Sequence, residues 1–419
     1  MSVAAADRTR DVSALLRLDV VESGARITAG WIPCVIGSDV RFSMEGLETY
    51  RIGDWDPLIY DALLLAAAVE YCDRALARKE FDWRRFFELR LAVHDPDRWN
   101  EPALKRSLVA ALELLTGDTW TIDFVARKTP VEAPRQNNLG FPSNVAAVLP
   151  YSDGLDSRAV GGLVDAQLRG GLVRVRLGPV GSKRKRERIQ PFAKIPYDVV
   201  VHGGNKESSG RSRGFKFAIV ASVTAYVAHA ARIIMPESAQ GALGPVLVPV
   251  GQAHEDYRNH PEFTALMTRF LAVLFARDIQ FEFPRLWHTK GETLKAYAEL
   301  RVGQDFWSDT RSCWQQSRQV SWGGRRRQCG ICAACLLRRM SMHAAGLVDF
   351  KETFIWQDLS TPNFKNGAAP GFSQITGALR EYGIAGVLHL DHLAALTGPR
   401  HAGSDRSLCF QHRARARPN

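Results

Sequence analysis

Four cysteines in the C-terminal third carry the clearest chemistry in this sequence. Cys313 stands alone, and Cys329, Cys332 and Cys335 follow in the run QCGICAAC. Thiols at three-residue steps do not readily pair with one another, but they can converge on one tetrahedral ion, with Cys313 as the fourth thiolate. Zinc takes four thiolates in a closed structural site. Its binding contributes roughly 10–16 kcal/mol in apparent terms, enough to hold a loop-rich segment in place. Disulfides, unrelated core thiols and an iron–sulfur cluster are the other readings of the same residues. A second candidate is the run SDGLDS, from Ser152 to Ser157. It lies where the apolar stretch VAAVLPY gives way to the helical pattern SRAVGGLVDAQLR. Backbone N–H groups at a helix N-terminus, with small hydroxyl side chains, suit phosphate oxygens. No Gly-Lys-Ser/Thr occurs there, so this is not the lysine-containing P-loop, and a plain surface turn is the competing reading.

The elements that would position these residues change character along the chain. Residues 1–140 read as an N-terminal α+β domain. LLRLDVV and ARITAGWI suggest an early β-meander, and Asp56-Pro57 reads as a cap and first turn for the helix LIYDALLLAAAVEYCDRALARK. A second helix is predicted from Pro102 to Leu115, followed by the strand TWTIDFVA. The Pro- and Asn-rich TPVEAPRQNNLGFPSN marks a boundary. From 141 to 395 short apolar strands alternate with helices: VAAVLPY, LVRVRLG, YDVVVHG, VLVPV and IQFEFP against SRAVGGLVDAQLR, FKFAIVASVTAYVAHAAR and PEFTALMTRFLAVLFARD. That alternation predicts an α/β fold, a parallel sheet covered by helices on both faces, with the cysteine region at 305–350 as a zinc-bound loop region. Ligands of such sheets sit at the carboxyl ends of the strands.

The chain has 419 residues, enough for two or three domains, and a net charge of +11 from 55 basic and 44 acidic residues. The surplus favours anionic ligands such as nucleotides or nucleic acid. Part of it lies in the basic segment 396–419, which reads as a disordered tail. The segment from Met1 to Asp11 lacks the apolar stretch of a signal peptide, and the most apolar run, Phe217 to Ala231, is too short to span a bilayer. A cytoplasmic protein with no membrane partner is expected. SKRKRER, from Ser182 to Arg188, reads as a solvated loop before it reads as a phosphate or RNA clamp. Trp322 with Arg325, Arg326 and Arg327 is a base-stacking surface or a loop insert. Cys34, Cys72 and Cys409 read as ordinary thiols, and His202 and His254 as core or surface residues.

The loop and the cysteines together resemble the 7-cyano-7-deazaguanine synthase (QueC) family of PP-loop ATP pyrophosphatases. SDGLDS resembles that superfamily's SGGxDS signature, and Cys-x15-Cys-x2-Cys-x2-Cys resembles the family's ending. RSRGFKFAIVASVTAYVA, PESAQGA with Glu237 and Gly241, HTKGETLK with Lys290 and Glu292, and CLLRRMSMHAAGLVD with Arg338 are similar to its intermediate landmarks. The resemblance covers roughly Val145 to Phe350 and implies a Rossmann-like PP-loop/HUP domain. Three departures stand out. Asp153 occupies a position where the family usually has glycine, fifteen residues separate Cys313 from Cys329, and ordinary members lack the N-terminal 140 residues. The long form resembles QueC-like proteins of bacterial antiphage operons, of the QatC type.

The resemblance implies a ligase that adenylates the carboxylate of 7-carboxy-7-deazaguanine, with ATP, magnesium and structural zinc as cofactors. The acceptor is ammonia or an amine on a partner protein of the same operon, with nucleic acid a less favoured partner. Ser152, Asp153, Gly154, Leu155, Asp156 and Ser157 form the nucleotide-binding set. Ser152, Gly154 and Ser157 would cradle pyrophosphate, and Asp156 would hold magnesium. Lys290 and Arg213 would add positive charge at the α-phosphate, solvated surface charge being the alternative for both. A tRNA-modifying PP-loop enzyme and a catalytically inactive QueC-like scaffold are the competing functions.

Overall fold

In the computed structural model the described residues are 15–42, 56–78, 83–128, 144–178, 192–203, 206–207, 210–244, 254–301, 305–315 and 320–395. The runs SKRKRER and VLVPV, the segment 396–419 and nearly all of the proposed boundary segment lie outside them. The chain divides into two units. One comprises residues 1–246, 250–311 and 341–348, the other 247–249, 312–340 and 349–419.

The first unit contains two sheets. Strands β1 (Leu15–Val21), β2 (Ile32–Val35), β4 (Phe86–Val93) and β5 (Thr119–Ala126) form the first, in the order β2-β1-β4-β5, and every ladder in it is parallel. The early stretches therefore do not form a meander. Most of ARITAGWI serves as the connection, with Ile27 exposed, and β2 begins only at Ile32, opposite Leu18. That connection carries the chain back so that β2 runs alongside β1. Helix α1 (Pro57–Ala75) begins as its sequence predicts: Asp56 accepts from the Leu58 N–H at 2.9 Å and Pro57 fills the first turn. It is buried nearly all round, from Leu58 to Cys72. The helices α2 (Pro96–Trp99) and α3 (Pro102–Thr116) follow, and Gly117 closes α3 in the left-handed conformation at φ 71°.

The second sheet has the order β10-β9-β6-β7-β8-β3, built from β3 (Val40–Phe42), β6 (Ala147–Pro150), β7 (Leu172–Gly178), β8 (Phe192–Val199), β9 (Arg232–Ile234) and β10 (Gln280–Glu282). Only β3 runs antiparallel, with Val40 opposite Val199. Successive residues of these strands point to opposite faces. Val148, Val173 and Ile233 join the core around α5 (Arg213–Val227) and α7 (Pro261–Phe275). Their neighbours Leu149, Leu172 and Ile234 pack with Val160 and Val164 of α4 (Leu155–Leu168). The sheet is thus covered on both faces, as the alternating pattern predicts. The short helix α6 (Ala239–Ala242) and helix α8 (Lys290–Leu300) complete this unit. Among the described residues no helix is long and apolar enough to cross a membrane.

The second unit has its own smaller core of Val320, Ile331, Ile355, Trp356, Phe372 and Leu379 around the four cysteines. A two-residue hairpin of β11 (Ser321–Trp322) and β12 (Arg325–Arg326) precedes α9 (Ala333–Ala344). Helix α10 (Gly377–Ala395) lies close against the cysteine turn, since a Cβ on Gly386 would stand 2.5 Å from the Ile331 carbonyl oxygen and 2.9 Å from the Ala333 nitrogen.

Candidate functional site

The crevice between β6 and β9 is where the strand order of the second sheet reverses: β7 follows β6 on one side and β9 lies on the other. The chain leaving β6 is the Ser152–Ser157 loop, and the chain leaving β9 is Met235-Pro236-Glu237. The loop is closed by its own hydroxyls. The Ser157 Oγ accepts from the Ser152 N–H at 3.2 Å and shares a hydrogen bond with the Ser152 Oγ at 2.9 Å. The Ser152 Oγ in turn accepts from the Gly154 N–H at 3.1 Å. Gly154 caps α4, and a Cβ there would stand 2.9 Å from the Ser152 Oγ. Asp156 falls in the first turn, where a carboxylate meets the positive end of the helix. Leu155 points the other way, into a core with Ala159, Leu294, Tyr297 and Phe306. Its contribution is to seat the loop.

That same core brings α8 to the loop. Gly162 on α4 admits the Tyr297 ring, which a Cβ would approach to 2.1 Å. The start of α8 is fixed by a capping box: the Thr289 Oγ accepts from the Glu292 N–H at 3.1 Å and the Glu292 carboxylate accepts from the Thr289 N–H at 2.6 Å. Lys290 is therefore the first helical residue, and its ammonium pairs with Asp156 Oδ2. The other oxygen, Asp156 Oδ1, is buried and has no hydrogen-bond partner among the described residues. That is the state of a carboxylate oxygen suited to a cation.

Glu237 completes the group. Its Oε1 accepts from the Asn259 side chain at 2.7 Å, and its Oε2 lies over Gly241, where a Cβ would stand 2.0 Å away. Burial pushes the Glu237 carboxyl up to about 8; the Asp156 charge adds to the effect, while Lys290 and Arg258 oppose it. Two carboxylates and one ammonium thus face one another, and a proton on Glu237 balances the charge.

Asp153 does not aim its carboxylate at the loop's centre unopposed. It is 62% exposed and pairs with Arg176 Nη1 at 3.1 Å, while its carbonyl accepts from the Arg311 N–H at 2.8 Å. Arg213 is placed differently from Lys290. It opens α5 with its guanidinium 5.4 Å from the Phe217 ring. Burial and the neighbouring Arg258 charge lower its pKa. Gly214 packs so tightly on Arg258 that a Cβ would meet its Cα at 2.9 Å. Arg258 is held by Asp256 and, after Lys290, is a second cation whose field reaches Glu237. Arg213 therefore stands behind Arg258, and none of its described contacts is with the loop.

In the second unit Cys313, Cys329, Cys332 and Cys335 are buried and not disulfide-bonded, and their sulfurs all lie within 4.8 Å of one another. A zinc–sulfur bond of roughly 2.3 Å implies a tetrahedral S···S edge of about 3.8 Å. The Cys329 and Cys335 sulfurs are 3.8 Å apart. Backbone N–H groups of Cys329 and Gln315 point at the Cys313 sulfur, at 3.2 and 3.4 Å, and that of Cys332 at the Cys329 sulfur at 3.3 Å. Such donors support thiolates. Hydrogen bonding from Cys329 holds Cys313 well below the usual thiol range. Gln328 fixes the strand partner by accepting from the Ser312 and Cys313 N–H groups at 2.9 and 3.2 Å. Gly330 turns the chain at φ 87°, where a Cβ would meet the Trp356 carbonyl at 2.7 Å. The site fits a closed four-thiolate ion. Arg338, one of the sequence landmarks, is wholly buried and grips Asp349 through two hydrogen bonds of 2.7 and 2.6 Å.

Glu237 entered the sequence reading as a landmark and not as a site residue. The signal that identifies it is its place three residues after the short strand Arg232–Ile234, a strand the alternating pattern does not pick out. One comparison with known proteins bears on part of this arrangement. A family model described as queuosine biosynthesis protein QueC matches residues 241–346. The match takes in Gly241, Lys290 and all four cysteines, and it begins beyond the Ser152–Ser157 loop and Glu237.

Proposed function

We propose that this chain is an ATP-dependent carbon–nitrogen ligase of QueC-like type, which adenylates the carboxylate of 7-carboxy-7-deazaguanine. The observation that carries the reading is the Asp156–Lys290 pair, set by the loop after β6 and the capping box of α8, with one oxygen of Asp156 free of hydrogen bonds among the described residues. The similarity to QueC over residues 241–346 supports the substrate class.

A carboxylate on an electron-rich pyrrole is a poor electrophile, and its oxygen is a poor leaving group. In the first step the carboxylate oxygen attacks the α-phosphorus of ATP, the bond to the β-phosphate oxygen breaks, and pyrophosphate leaves. In the second, an amine nitrogen attacks the acyl carbon, the bond to the AMP oxygen breaks, and the nitrogen gives up a proton. Ammonia yields the amide, which a second ATP can dehydrate to the nitrile. An amine on a partner protein yields a conjugate, the outcome suited to a long, defence-associated form. The Ser152, Gly154 and Ser157 groups receive the pyrophosphate oxygens at the positive end of α4. Lys290 orients Asp156 and leaves Oδ1 to magnesium, which neutralises charge on the leaving phosphates when bound. Arg213 acts at longer range, through the positive field it shares with Arg258.

The test is to incubate zinc-replete protein with magnesium, ATP and 7-carboxy-7-deazaguanine, with and without ammonia, and to measure pyrophosphate and AMP. Substrate-dependent release, lost in Asp156→Ala, is expected. No release under any condition, with or without candidate protein partners, would reject the ligase reading in favour of a scaffold.

A further inference from the structure

Helix α10 is seated by small residues and presents large apolar ones to solvent. Leu379 joins the core around the cysteines, and a Cβ on Gly383 would stand 3.5 Å from the Ile331 side chain. Together with Gly386 these positions define the side that packs on the cysteine turn. On another side of the same helix, Ile384, Val387 and Leu388 are each more than half exposed. Single apolar residues on a surface need no explanation, but three at i, i+3 and i+4 make a stripe. We propose that this stripe is a self-association surface, on which α10 of a second copy of the chain packs antiparallel.

Direction and register follow from the charges at the ends of the stripe. Arg380, Ile384, Val387 and Asp391 are spaced by four, three and four residues, the spacing of a helix seam. All four are exposed, and among the described residues neither Arg380 nor Asp391 takes part in an ion pair. Reversing the helix about the midpoint of Ala385 and Gly386 maps the seam onto itself. Ile384 then meets the partner's Val387, and Arg380 meets the partner's Asp391. A parallel pairing would set Arg380 against the partner's Arg380 and Asp391 against the partner's Asp391, like charges at both ends. A two-fold contact must be self-complementary, and the antiparallel orientation is the one that makes this seam so.

A lipid surface fits less well. Beside Arg380 the helix carries Glu381 and Asp391 and no other arginine or lysine, whereas helices that lie on anionic lipid are basic on their polar side. From Arg380 to Asp391 the seam is about 17 Å long. That is small for a specific interface, so the pair should be weak, with a dissociation constant on the order of 10–100 µM. The close seating on Ile331 and Ala333 gives the cysteine turn a second task, since it fixes the helix that presents the seam.

The experiment is sedimentation velocity of the full-length, zinc-replete protein from about 1 to 200 µM, a range that brackets the expected constant. A monomer–dimer equilibrium is expected. Ile384→Glu should abolish the dimer and leave the thermal midpoint unchanged, because the residue is exposed in the single chain. Arg380→Asp and Asp391→Arg should each weaken the dimer roughly tenfold, by setting like charges opposite one another at both ends, and the double variant should restore it. A monomer at every concentration overturns the proposal and leaves the face to a partner other than a second copy. A dimer that Ile384→Glu leaves intact overturns it as well, as do single-variant losses that the double variant does not restore. None of these outcomes involves nucleotide, so the ligase reading stands or falls separately.

Discussion

Lys290→Met should cost far more than Asp156→Asn, although the two residues form one ion pair. The pair is largely buried, with side-chain exposures of 11% and 18%. Removing one partner of such a pair typically costs about 3–5 kcal/mol, because the other charge is left uncompensated. In Lys290→Met the stranded charge is Asp156, and it faces Glu237, a second acid already pushed up to about 8 by burial and by Asp156 itself. No cation of the pair remains, so the full cost of about 3–5 kcal/mol is expected near neutral pH. Asp156→Asn differs. It removes the charge that helps hold Glu237 protonated, so Glu237 can ionise and take over Lys290, limiting the loss to about 1–2 kcal/mol. The double variant should be more stable than Lys290→Met alone, since no stranded charge is left. Urea denaturation of the four proteins closes the cycle. A Lys290→Met cost below about 1 kcal/mol, or single costs that add to within about 0.5 kcal/mol, would refute the three-residue charge balance.

Three further outcomes follow from the same geometry. Glu237 has a folded pKa of about 8 against an ordinary 4.5, so the native state binds its proton more tightly than the unfolded state does. Its contribution is complete below pH 4.5 and is lost as pH rises to 8; wild type should therefore lose stability across that window relative to Glu237→Gln, and parallel pH profiles would contradict the assignment. Purified protein should contain about one zinc per chain by elemental analysis, and Cys332→Ser should lose it together with protease resistance of the second unit; visible iron–sulfur absorption would count against zinc. Asp153→Gly should change stability by less than about 1 kcal/mol, because the carboxylate it removes is mostly exposed. It should also leave pyrophosphate release intact, whereas a rise of a hundredfold or more would mean that Asp153 obstructs the phosphates.

The loop and the cysteines are legible in the sequence as local patterns, a strand–turn–helix junction and a three-residue spacing, whereas Lys290 enters only through the resemblance of HTKGETLK to a family landmark. The two-faced sheet was legible for a related reason, since apolar runs of strand length alternate with helical periods. What escaped was set by partners far along the chain. The Arg176 that holds Asp153 lies 23 residues away, and the Asn259 that holds Glu237 lies 22 away. β9 is three residues long and too short to show a period. The parallel pairing of β1 with β2 depends on where the connection ends; Gly30, left-handed at φ 78°, marks that point, but one glycine does not distinguish a parallel return from a hairpin.

The antiparallel strand β3 has a consequence for any attempt to work with shorter pieces. Its three residues pair with β8 across 155 to 159 positions of sequence, Val40 with Val199 at the far end of that range. A fragment beginning near residue 141 would leave β8 as the outermost strand, with its N–H and C=O groups facing solvent. Such an open flank templates pairing with other chains. Truncated protein is expected to aggregate during expression even where every residue of the nucleotide loop and the thiolate turn is retained. The same long-range pairing means that nascent chain cannot finish the second sheet until both partners have left the ribosome, which makes the fold slow to complete and dependent on a segment made early.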